Sequence, residues 1–234
     1  MDEAQELLNW LDHQPLFYKT PTLSRMKRVL SALDHPERAC QYVHVTGTNG
    51  KGSTIAYLSS LLKQDVKVGV FTSPHWEVIY DRISINDIPI KSEDFLIYLS
   101  RLKTLSTRLV TKQSMDPLTQ FELLTLVMFL YFKDTRPDIV LLEVGIGGQW
   151  DSTNIIKHPL LTIITSISLD HEAILGDDLS KITLEKSGIL KPHVPLISGV
   201  LPKQAQDVLA ARTRSLYCPW WQLNETFRAT LLQM

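Results

Sequence analysis

Cysteine is scarce in this chain: Cys40 and Cys218 are the only two in 234 residues, and neither sits in a CxxC pair or beside a histidine at metal-ligand spacing. That argues against a disulfide framework or a zinc site and suits a reducing compartment. Long apolar runs are missing as well. The longest, Leu123 to Phe132, falls well short of the roughly 20 residues a membrane span requires, and predicts a buried helix instead. Charge of one sign is also lacking, with 24 basic residues against 25 acidic, so nothing marks a nucleic-acid or anionic-membrane partner. The opening MDEAQELLNWLDHQ is acidic and polar rather than basic and then apolar, which argues against a signal or transit peptide. A cytoplasmic protein acting on small molecules is the expectation that these absences leave.

What is present suffices for a packed fold. At 44% hydrophobic residues the chain can bury a full core without metal or disulfide, and one globular unit is the default. Short β-rich runs at 41–46, 67–72, 137–144, 160–167 and 194–200 alternate with helical patterns at 51–63, 92–111, 119–133, 178–190 and 202–214. Such alternation predicts a doubly wound α/β fold with a mostly parallel sheet covered on both faces. RISINDIPI (82–90) breaks the rhythm, because its apolar residues recur every second position around Asn86-Asp87, as in a small hairpin. No repeat, low-complexity segment or linker divides the chain, and after about residue 215 the pattern reads as one strand followed by unassigned structure.

The segment YVHVTGTNGKGSTIAYLSSLL sets Gly47, Gly50 and Gly52 between a buried strand and a helix, with Thr48 and Asn49 inside the turn and Lys51 and Ser53 at its helical end. Glycines let backbone N–H groups curl around an anion, a helix N-terminus adds partial positive charge, and a lysine adds a full one. The spacing departs from GxxxxGK[ST], since two residues separate the first two glycines and Gly52 intervenes before Ser53. An ordinary glycine-rich turn is the plain alternative, yet the lysine and hydroxyls in this context favour a phosphate loop.

Other candidates fall beyond the carboxyl ends of predicted strands, where open α/β sheets bind ligands. They are Ser73 after 67–72, Glu143 ending LLEV and His171 in SLDHE. Together a hydroxyl, a carboxylate and an imidazole beside a triphosphate can hold magnesium. Singly, Glu143 reads equally as a solvated strand end and His171 as a loop cap. GIGGQWDSTN (145–154) reads as a ligand-approaching loop or a plain turn, and Lys186, on a helix, reads as a surface lysine.

In order and spacing, HVTGTNGKGST, FTSPHWEVIYDRISIN, LTQFELLTLVMFLYF, LLEVGIGGQWDSTNII and SLDHEAILGDDLSKITLEKSGILK resemble the folylpolyglutamate/dihydrofolate synthases of the Mur ligase superfamily. LSRMKRVLSALDHPE resembles the family's segment before the phosphate loop. The resemblance implies that Gly47 to Ser53 bind ATP phosphates, with Lys51, Glu143 and Lys186 in catalytic roles. It implies magnesium at Ser73, Glu143, His171 and a carbamylated Lys186. It places Lys19, Thr20, Pro21, Thr119, Gln120, Phe121, Glu122, Trp150, Asp151 and Ser152 near the pteridine or pteroate group, with Phe121 stacking on the flat ring.

The implied reaction activates a folate or dihydropteroate carboxylate as an acyl phosphate and joins it to L-glutamate. Gln149 departs from the arginine usual in the family, removing a fixed positive charge. Length is the other departure, since the resemblance implies a second, glutamate-ligase domain and makes residues 1–234 a single, incomplete nucleotide-binding domain. From that follow two further expectations: self-association or a partner supplying the missing domain, and, as the alternative to a working ligase, a nucleotide-binding fragment or regulatory module.

Overall fold

The computed structural model describes residues 3–169 and 178–229. Eight strands form one sheet, in the order β4-β3-β2-β5-β1-β6-β7-β8. They are β1 Tyr42–Thr46, β2 Val68–Phe71, β3 Ile83–Ile85, β4 Ile88–Pro89, β5 Ile139–Glu143, β6 Leu161–Ile164, β7 Leu196–Ser198 and β8 Trp220–Gln222. In that order, all neighbours from β2 to β8 pair in parallel, and only the β2–β3 and β3–β4 pairs are antiparallel. The expected doubly wound, mostly parallel α/β fold is therefore present.

Seven helices are described: α1 Glu3–Asp12, α2 Ser24–Ala32, α3 Lys51–Leu62, α4 Ser92–Gln113, α5 Gln120–Thr135, α6 Leu179–Lys186 and α7 Lys203–Leu216. The sequence reading had not assigned α1, whose Leu7 and Leu11 bury against α4 and α5. Strand β1 is buried at all five positions because helices cover both faces. Its side chains alternate: Val43 and Val45 pack with Ile55 of α3, while Tyr42 joins Phe129 of α5 in the largest core cluster. The second half of the chain has a core of its own, in which Ile164, Ile182, Leu196 and Leu209 hold α6 and α7 to the sheet.

Local chemistry explains several boundaries. Helix α5 begins at a capping box in which Thr119 Oγ1 accepts the Glu122 N–H at 3.1 Å and Glu122 Oε2 accepts the Thr119 N–H at 2.8 Å. The expected hairpin is present, with Asn86 and Asp87 at φ 48° and 65°, and Asn86 Oδ1 accepts the Val68 N–H at 2.8 Å. Run 160–167 yields only Leu161–Ile164 as strand, because Thr165 and Ser166 turn to bond the glycine loop. Run 178–190 stops being α-helical at Lys186 and finishes as a 3₁₀ turn, Ser187–Ile189. Among the described residues no helix is long and apolar enough to cross a membrane.

Candidate active site

The parallel strands deliver four segments to one edge of the sheet: the glycine loop after β1, Ser73 after β2, Glu143 and the loop behind it at β5, and Thr165–Ser168 after β6. Gly47 has φ 151°, and a Cβ there would lie 2.0 Å from Thr165 Oγ1, so both conformation and space require glycine. Gly50, at φ 83°, turns the chain into α3. The first N–H groups of α3 have no acceptor within the helix and present its positive end to the cleft. Lys51 Nζ donates to Gly47 O at 3.0 Å and Thr48 O at 3.3 Å, which holds its charge over the loop.

Thr48 and Asn49 also fasten the loop. The Thr48 N–H donates to Ser166 O at 2.9 Å and the Asn49 N–H to Ser166 Oγ at 2.9 Å, so both are spent in fastening the loop to the end of β6. The Thr48 hydroxyl is tied to the Ser168 backbone as well. Within the expected stretch Gly47–Ser53, those two N–H groups are thus occupied by protein partners.

Glu143 is 3% exposed, accepts the Ser73 N–H at 3.1 Å, and its Oε2 lies 3.8 Å from where a Cβ on Gly52 would be. The carboxylate thus abuts the start of α3. Burial pushes its carboxyl up from the ordinary range, opposed by the Ser73 hydrogen bond and by the charges of Lys51 and Arg82. A buried acid beside the glycine loop fits magnesium, which takes one or two carboxylates and completes its shell with phosphate oxygens and water. No group of three His, Cys, Asp or Glu side chains converges among the described residues, and His171 lies outside them.

Lys186 is not a surface lysine. It is 2% exposed at the end of α6 and lines a void of about 10 Å³ together with Lys51, Thr46 and Gly147. The cause is the loop after β5, which passes over the end of α6: the Gln149 N–H donates to Glu185 O at 2.9 Å, and Asn154 Nδ2 to Gly188 O at 3.1 Å.

A cleft of about 920 Å³ opens beside the glycine loop, lined by Lys51 and Ser73 on one side. Its other walls include every residue expected near the pteridine group except Thr20. Three of those residues are built into the frame. Glu122 is buried, caps α5 and pairs with Arg25 (Nη2 to Oε1 3.1 Å), Asp151 accepts the Ile146 and Thr153 N–H groups at 3.0 Å, and Ser152 Oγ meets Thr125 Oγ1 at 2.6 Å. Phe121, tilted against Phe71 at 5.8 Å, and the half-exposed Trp150 supply the flat apolar surfaces.

No family model matches the chain. A Bacillus subtilis dihydrofolate synthase/folylpolyglutamate synthase is 38% identical over 223 residues, covering 94% of this chain and 51% of that protein. The apo form of the L. casei folylpolyglutamate synthase superposes with a TM-score of 0.92 at 32% identity, over 99% of this chain and 56% of that one. The chain belongs to the folylpolyglutamate synthase/dihydrofolate synthase family. A solved folylpolyglutamate synthase complex with AMPPCP and folate superposes equally well, with a TM-score of 0.92, 32% identity and the same coverage. The chain spans about half the length of the curated relatives it matches.

Within this family member, sequence reading missed two groups on the cleft. Arg82 lines it, donates to His75 Nδ1 at 3.3 Å and lies in electrostatic reach of Glu143. Its signal was its place at the start of the hairpin, close behind Ser73. Arg25 pairs with Glu122 across 97 positions and stacks over Tyr18 at 4.2 Å, a relation that no local pattern announces.

Proposed function

We propose that this chain is the nucleotide- and acyl-substrate-binding part of an ATP-dependent ligase that joins glutamate to a carboxylate of folate or dihydropteroate. The observation that carries the reading is the continuity of the cleft: Lys51 of the glycine loop and the rings of Phe121 and Trp150 line a single space. One end suits a triphosphate and the other a flat heteroaromatic acid. The relative whose structure holds AMPPCP together with folate supports that pairing of ligands.

In the proposed reaction a carboxylate oxygen of the acyl substrate attacks the γ-phosphorus, the bond to the β–γ bridging oxygen breaks, and ADP leaves. The glutamate amine then attacks the acyl carbon of the acyl phosphate, loses a proton, and inorganic phosphate departs. Lys51 and the N–H groups opening α3 hold the charge that gathers on the phosphate oxygens, with Lys51 steadied by Gly47 O and Thr48 O and the loop by the Asn49 bond to Ser166. When bound, magnesium supplies charge neutralisation, with Glu143 and Ser73 in place to hold it and His171 and a carbamylated Lys186 as the further ligands. Carbamylation suits a lysine lining the same void as Lys51, since an anionic carbamate turns a like-charge approach into an attractive one.

The test is ADP release by the purified chain with Mg-ATP, glutamate and either dihydropteroate or tetrahydrofolate, beside titrations with AMPPCP and folate. Substrate-dependent release, or binding of both ligands without release, upholds the reading. Binding of neither overturns it.

A further inference from the structure

Every polar side chain from Asp151 to Asn154 turns into the protein and finds a partner there. Asn154 donates to Gln149 O at 3.0 Å while its Oδ1 accepts from Lys191 Nζ at 2.6 Å. Thr153 Oγ1 stands between two groups, 2.5 Å from Asp151 Oδ1 and 2.8 Å from His44 Nε2. His44 is fully buried on β1, two residues before Thr46, whose hydroxyl donates to Gly147 O at 2.8 Å. Strand β1 thus carries the glycine loop at its end and grips the 145–155 loop with two side chains of one face.

Proton accounting fixes the state of this chain of groups. Asp151 accepts the Thr153 N–H on Oδ1 and the Ile146 N–H on Oδ2, and as the carboxylate that those hydrogen bonds favour it has no proton to give, so the single hydroxyl proton of Thr153 points to it. Thr153 Oγ1 must then accept from His44, which puts the imidazole proton on Nε2. Nδ1 is left as a buried acceptor with no hydrogen-bond partner. A leucine would fill this strand position without an orphaned atom, so packing alone does not explain an imidazole there.

We propose that His44 is a positioning residue for the acyl-substrate side of the cleft: through Thr153 it locks Asp151 onto the backbone of Gly145 and Ile146 and so sets the loop that carries Trp150. The link to the acyl substrate rests on the function proposed above, whereas the tautomer and the lock rest on geometry alone.

Two measurements on the 234-residue chain decide it. In the first, nitrogen NMR of the imidazole is expected to show the neutral Nε2–H tautomer. Amide exchange at Ile146 and Thr153 should quicken about tenfold in His44→Leu and recover in His44→Gln, whose side-chain NH₂ can replace the lost donor. A ring protonated on Nδ1 alone, or unchanged exchange in His44→Leu, overturns the lock. In the second, His44→Leu is expected to weaken folate binding about tenfold while AMPPCP binding stays within about twofold, with His44→Gln again restoring the parent behaviour. Equal weakening of both ligands would reduce His44 to a general stabilising residue and sink the proposal. Failure of the parent chain to bind folate would instead count against the proposed function, leaving the exchange measurement to judge the lock.

Discussion

The two loops that β1 brings together are built on opposite plans. The glycine loop shapes itself with main chain and fastens itself through Thr48 and Asn49, while Lys51 lines the cleft and Ser53 is exposed. The wall across the cleft is shaped by side chains that satisfy one another: Arg25 with Glu122, Glu122 with Thr119, Thr153 with Asp151 and His44. One plan spends backbone geometry and keeps its functional groups available, while the other spends the functional groups on rigidity. Substitutions in the wall should therefore register in stability and, through the wall, in acyl-substrate binding, and substitutions at the glycine loop in nucleotide binding.

The largest expected effect is in the wall. Arg25→Ala leaves the Glu122 carboxylate buried with the Thr119 N–H and no cation, and breaking a buried pair in this way costs about 3–5 kcal/mol. Chemical denaturation measures it, and a loss below about 1 kcal/mol would show that the wall does not depend on this pair. Next comes Lys51→Ala, which removes the full charge from the phosphate cradle. AMPPCP affinity should fall at least about 100-fold, or about 2.7 kcal/mol, with unfolding free energy within about 0.5 kcal/mol of the parent. A variant that keeps its nucleotide affinity, or that loses stability instead, would erase the distinction between the loops.

Gly145→Ala probes the seam between them. An added Cβ would sit 2.6 Å from Cε1 and Cζ of Phe121, so the ring must move. Overpacking of this kind costs about 1–3 kcal/mol. Displacing the stacking surface should also weaken folate more than AMPPCP in paired titrations. Equal changes for the two ligands would mean that Phe121 is not part of the acyl-substrate surface.

What the sequence made legible follows the same division. The parallel sheet, the hairpin and the glycine loop rest on local signals: buried runs of strand length, Asn86-Asp87, and glycines with a lysine at a helix start. Glu143 and Ser73 could be placed because strand ends in this topology share one edge. Lys186 could not, since its burial comes from a loop 32–37 positions earlier folding over the end of α6, a contact made by Gln149 and Asn154. The same holds for Arg25 and for His44, which inside YVHVT looks like one more residue of a buried strand. The fastening of Thr48 to Ser166 and Ser168 was not legible either, because it depends on where β6 ends.

The smallest effect sharpens the comparison through pH. Burial, with a lesser contribution from Lys191, brings the His44 imidazole down from its usual 6.5 to about 3. Between those values the unfolded chain takes up a proton that the folded chain refuses. The stability linked to a neutral His44 is therefore present in full above pH 6.5 and drains away as the pH falls toward 3, at up to about 1.4 kcal/mol per pH unit. Asp151 and Glu143 work in the opposite sense. Burial raises both, so their folded forms keep protons that the unfolded chain releases, and their contribution is lost as the pH rises. Comparing the parent with His44→Gln between pH 4 and 6.5 cancels those carboxylates and leaves the imidazole, so the parent should lose stability more steeply than the variant as the solution is acidified. Parallel slopes would mean that the imidazole is charged in the folded chain, with a second proton on Nδ1, where the geometry offers it no acceptor.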